Sequence, residues 1–139
     1  MTTRTQHLWF GPRLFVEVKS CIESTMVTFL FDNDEEYLFN LEVNILMDRK
    51  FSIERTITYG EPADCLYWEE QEFEKVEEQF VVKTKRRKPV TPEQIHHFKT
   101  KWQEALDQMV NEDTFTFEIP TYLTEILAIE TELFHIDSQ

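Results

Sequence analysis

The chain predicts an α+β domain, with an antiparallel β-meander of four or more strands packed against two helices at about residues 91–110 and 121–134. Three observations carry that expectation. Apolar residues recur with period two through the first sixty positions. They recur at helical spacing in two later segments. Short polar breaks separate the alternating runs, as hairpins require.

The strand pattern is clearest in four places. In "RLFVEVKS", Leu14, Val16 and Val18 share a face. In "TMVTFLF", Val27, Phe29 and Phe31 oppose Met26, Thr28 and Leu30. Tyr37, Phe39, Leu41, Val43, Ile45 and Met47 form a long apolar row against Asn40, Glu42 and Asn44. Phe51, Ile53, Ile57 and Tyr59 form another, interrupted by Arg55, with Ser52, Glu54, Thr56 and Thr58 opposite. Side chains alternate across a strand, so each run has one face to bury. "DNDEE" and "MDRK" fit the connecting turns, and "GEPAD" reads as a loop because Gly and Pro punctuate it.

The next stretch, "LYWEEQEFEKVEEQFVV", supports two readings. Phe73, Val76 and Phe80 suit one helix face, and Phe80 with Val82 suits a strand. The expectation is a short helix or irregular arm followed by a strand.

The clearest helix starts at "VTPEQ". Thr91 can cap it, Pro92 suits its first position and Gln94 completes a capping box, with Val90 and Ile95 at staple positions. Ile95, Phe98, Trp102, Leu106 and Met109 make its apolar stripe. "TFTFEIP" reads as a strand closed by Pro120. The last segment is a second helix, with Leu123, Ile126, Leu127 and Phe134 inward.

At 139 residues the chain is expected to be a single domain spanning 1–139, large enough for a real core. Twelve Phe, four Tyr and three Trp supply apolar area for it. There are two Gly, Gly11 and Gly60, too few for a P-loop, a dinucleotide fingerprint or a nucleophile elbow. Cys21 and Cys65 are isolated, without the spacing of a disulfide framework or a zinc site. The N-terminus has no signal-peptide apolar region and no run reaches membrane-spanning length, so the expectation is a cytoplasmic protein with reduced thiols.

Candidate chemistry is sparse. Glu93 and His96 make an E-x-x-H on the first helix, but carboxylate-bridged metal sites need two copies and four helices. Acid–base catalysis needs two carboxylates in different environments, whereas the run Glu69 to Glu78 reads as solvated. No catalytic residue, cofactor or metal is therefore expected.

Charge is the informative feature. There are 14 Lys and Arg against 27 Asp and Glu, for a net charge of −13. Eight carboxylates fall between Glu61 and Glu78, and then Lys83, Lys85, Arg86, Arg87 and Lys88 follow within six residues. Tyr67 and Trp68 sit in the acidic stretch, where aromatics beside charge resemble an interface hot spot. The candidate partner-binding set is Tyr67, Trp68, Glu69, Glu70, Glu72, Glu74, Glu77 and Glu78. The basic cluster most economically balances that arm across paired strands. Contact with nucleic acid through the cluster is disfavoured by the acidic remainder.

These features favour a non-enzymatic interaction module for a basic protein. A sharper form is a nucleic-acid mimic whose carboxylate rows stand in for phosphates, in the manner of a phage or mobile-element inhibitor. The alternative is a small ligand-binding domain or enzyme with a pocket between sheet and helices.

Overall fold

The computed structural model describes residues 3–10, 13–32, 37–47, 49–60, 62, 64–110 and 121–137. Seven strands run in chain order through one antiparallel sheet: β1 (Arg4–Phe10), β2 (Leu14–Ser20), β3 (Ser24–Asp32), β4 (Tyr37–Leu46), β5 (Lys50–Tyr59), β6 (Asp64–Val76) and β7 (Gln79–Arg87). Two helices follow, α1 (Pro92–Val110) and α2 (Thr121–Asp137). The fold is α+β, a seven-stranded meander followed by two helices. No described helix is long and apolar enough to cross a membrane.

One face of the sheet holds the core. Val16, Phe29, Leu41, Val43, Ile53 and Ile57 lie fully buried there. Phe98, Trp102, Ala105, Leu106 and Met109 of α1 cover them, with Leu123, Ile126, Leu127, Leu133 and Phe134 of α2. Trp102 meets Phe39 edge-on at 6.0 Å, and Phe98 packs on Tyr67 at 5.5 Å. Alternation puts every second residue of β2 to β6 on the opposite, open face.

The capping box at α1 forms as the sequence predicts. Gln94 donates its backbone N–H to Thr91 Oγ1 at 3.1 Å, and Thr91 N donates to Gln94 Oε1 at 2.9 Å. Each contact satisfies an amide that the first helical turn leaves unpaired.

The segment expected as a short helix or irregular arm is instead β6, a 13-residue strand. Its inward set is Tyr67, Glu69, Gln71 and Phe73, all buried. The alternation is regular, but two of its inward positions are polar, which hides the period from a hydrophobicity reading. β7 does follow with Phe80 and Val82 half-buried on one side. A tight turn joins the two strands, and Glu77 adopts φ 57° in it, a left-handed conformation that costs a non-glycine residue about 1–2 kcal/mol. The strand expected in "TFTFEIP" lies outside the described residues, as do parts of the three predicted turns.

Candidate functional site

Each face of the sheet carries a polar row. On the covered face, lateral register runs Leu41↔Arg55, Arg55↔Glu69 and Glu69↔Arg87 across β4 to β7. Arg55, Glu69, Gln71 and Glu130 are all completely buried. The Arg55 Nε–H donates to both oxygens of Glu130 on α2, at 3.0 and 3.1 Å, and Nη1 donates to Glu69 Oε1 at 2.7 Å and to Gln71 Oε1. Lys99 of α1 reaches both Glu69 oxygens at 3.1 and 3.2 Å. Tyr67 donates its hydroxyl to Glu69 at 2.7 Å. Arg87 approaches the same carboxylate at 3.6 Å.

Burial sets the protonation behaviour of this cluster. It works against the charge of Arg55, but the Glu130 and Glu69 carboxylates outweigh it and hold the guanidinium protonated. Burial pushes the Glu130 carboxyl up, against the pull of Arg55. Both groups are raised, which favours the charged form of Arg55 and the neutral form of Glu130. The bidentate geometry favours the ionised pair, because both Glu130 oxygens accept from one guanidinium edge. Burial, and then Glu69, raise the Tyr67 phenol. A cluster this closed clamps both helices to the sheet, through Glu130 for α2 and Lys99 for α1.

On the open face a second row crosses the whole sheet. Its register is His7↔Glu17, Glu17↔Thr28, Thr28↔Glu42, Glu42↔Glu54, Glu54↔Glu70 and Glu70↔Arg86. Four glutamates thus stand on one line, with strands about 4.8 Å apart. Each end is neutralised. His7 Nε2 lies 2.8 Å from Glu17, Lys19 lies 3.3 Å from it, and Arg86 lies 2.6 Å from Glu70. The centre is not: among the described residues no cation lies within ion-pair distance of Glu42 or Glu54. Glu54 accepts a bond from Trp68 Nε1 at 3.1 Å. Glu42 is pushed up by burial and then by the charge of Glu54 opposite. The buried Asn40 Oδ1 and Asn44 Oδ1, one step either side of Glu42 on β4, have no hydrogen-bond partner among the described residues.

The residues singled out from sequence separate onto these two faces. Trp68, Glu70, Glu72 and Glu74 belong to the open face of β6. Tyr67 and Glu69 point into the core, so the reading of the acidic run as wholly solvated is corrected at Glu69, where Arg55 and Lys99 compensate its burial. Glu77 and Glu78 occupy the β6–β7 turn, with Glu78 88% exposed. The basic cluster lies along β7 and faces the acids of β6. Lys83 is 3.6 Å from Glu74, Arg86 pairs with Glu70, Arg87 approaches Glu69, and Lys88 Nζ donates to the Cys65 carbonyl at 2.6 Å. Lys85 is exposed opposite Gln71. Glu93 and His96 are exposed on the first turns of α1.

Sequence reasoning did not assemble either row. Arg55 was visible as the break in an apolar alternation, and Glu130 falls on the inward stripe with Ile126, Leu127 and Phe134. The open row joins residues on all seven strands and exists only once the register is set. A groove of about 380 Å³ lies at one end of the open face, where Asn44, Ser52, Glu72 and Lys83 line it beside Phe51 and Phe73. No family model, curated protein or solved structure matches the chain.

Proposed function

We propose that this chain is a non-enzymatic interaction module that binds a basic protein on the open face of its sheet. The observation that carries the reading is the in-register line of Glu17, Glu42, Glu54 and Glu70, at whose centre no cation among the described residues pairs with Glu42 or Glu54. Like charges directly opposite on neighbouring strands destabilise a sheet, so this line costs the fold stability. An arriving Arg or Lys side chain would relieve that cost. A regular line of carboxylates also resembles a polyanion, so the favoured partner class is a protein whose basic surface holds nucleic acid.

Fluorescence titration with an oligo-arginine peptide at two salt concentrations tests this. Tight binding at low salt that weakens steeply at high salt is expected. In the mimic form, the chain also displaces duplex DNA from a basic DNA-binding protein. Failure to bind either probe at low salt would contradict the reading.

A second reading, small-ligand binding, has the groove beside Lys50 and Lys83 in its favour, since its volume falls in the usual range for ligand pockets. Glu72→Gln with Lys83→Gln separates the two. The substitutions alter the groove and leave the glutamate line intact, so peptide affinity should hold near the wild-type value.

A further inference from the structure

The two edges of the sheet differ in a way that points to a partner. An edge strand offers a row of unpaired backbone groups, and proteins commonly blunt it with Lys or Pro. β7 is blunted, since Lys83, Lys85, Arg86 and Arg87 fall on it. β1, "RTQHLWF", is not. It has one cation at Arg4, no carboxylate and no Pro, and among the described residues no strand pairs with its outer side. Trp9 on this edge is 68% exposed, although its ring packs at a tilt on the half-buried Phe15, 4.7 Å between centroids. Trp9 already pairs with Phe15 across β1 and β2, and its exposed flank faces the outer edge.

We propose that the outer edge of β1 pairs antiparallel with β1 of a second copy about a two-fold axis, joining two seven-stranded sheets into one. Three features favour a second copy over a basic peptide. The edge has no carboxylate to attract Lys or Arg. A two-fold axis near His7 places Thr5 of one copy opposite Trp9 of the other, an aromatic against a β-branched residue, which is a favourable cross-strand pair. The same register puts Arg4 opposite Phe10, so it sets no like charges of full strength against each other. The blunted β7 edges then close the assembly at two copies, because an isologous pairing uses up both free edges. The inference stands apart from the partner reading, although the two acidic lines would become continuous across the joined sheet.

A seven-residue edge with one flanking aromatic makes a small interface, so association in the micromolar range is expected. Sedimentation equilibrium of the full chain from about 1 µM to about 500 µM should show the mass rising from 16.8 kDa toward twice that value. Two exposed-site variants make the test specific. Thr5→Lys with Trp9→Lys, and Thr5→Glu with Trp9→Glu, should each stay at the single-chain mass throughout, because like charges now oppose one another. Mixing them in equal amounts should restore the double mass, which shows both chains folded and the contact at β1. Should the Lys pair prove unfolded by circular dichroism, His7→Lys replaces it and His7→Glu replaces its counterpart, since the axis sets position 7 of each copy directly opposite the other. A wild type that stays at 16.8 kDa, variants that associate like wild type, or a mixture that stays single overturns the proposal.

Discussion

Arg55 on β5 meets Glu130 on α2 across 75 residues of sequence, with both side chains fully buried and the guanidinium edge shared by the two carboxylate oxygens. This contact decides how the second helix sits on the sheet. A buried ion pair adds little net stability over an apolar replacement, but removing one partner leaves an uncompensated charge.

Glu130→Leu should therefore cost about 3–5 kcal/mol, because among the described residues Arg55 keeps only Glu69 and Gln71 as hydrogen-bond partners in a dry interior. Replacing both residues, Arg55→Met with Glu130→Leu, should recover little of this loss, since Glu69 then loses its closest cation. Adding Glu69→Gln to that pair should recover more. Urea melts of the single, double and triple variants check the order.

Glu42 and Glu17 lie on one line but should respond to pH in opposite senses. Burial and the facing Glu54 raise Glu42, so its contribution to stability is complete below the ordinary carboxylate range and is lost as pH rises through the raised value. Glu42→Gln should thus be more stable than wild type at pH 7, with no difference below about pH 4. The His7 and Lys19 bonds lower Glu17, so its contribution is present above the ordinary range and is lost as pH falls. Glu17→Gln should be less stable than wild type at pH 7, and acidification should close the gap. Thermal melts across that range report both signs.

Neutralising Lys83, Lys85, Arg86, Arg87 and Lys88 to Gln should lower the melting temperature modestly, since most of their pairs are solvent-screened. The larger effect should be self-association, because β7 then offers an unblunted edge. Light scattering that stays flat in this variant would show that the cluster does not guard the edge.

Thr91→Ala should cost about 1 kcal/mol by removing the acceptor for the Gln94 amide. Trp102→Ala should cost about 3–5 kcal/mol, because the ring is buried against Phe39. Denaturant melts compare the two directly.

What could be read from sequence tracks which forces act locally. The strands from Leu14 to Tyr59 and the capped helix at Thr91 were legible because their apolar periods and end signals lie within each segment. β6 was not, because Glu69 and Gln71 occupy core positions that only Arg55, Lys99 and Glu130 make tolerable. β1 escaped for a related reason: Arg4, Gln6 and His7 leave it too polar to show an alternation. The charge balance between β6 and β7 was expected and does occur, with Glu70 facing Arg86. The glutamate line was beyond reach, since lateral register depends on every hairpin between β2 and β6.

The most direct test of the partner reading compares two variants of equal charge. One changes Glu17, Glu42, Glu54 and Glu70 to Gln on the sheet. The other changes the exposed helix residues Glu93, Glu104, Glu125 and Glu132 to Gln. Each moves the net charge from −13 to −9. Titration with the oligo-arginine peptide at low salt should show affinity falling at least tenfold for the sheet variant, about 1.4 kcal/mol, and staying within about twofold for the helix variant. Equal losses in the two would mean that net charge alone attracts the peptide, and the open face would then not be the binding site.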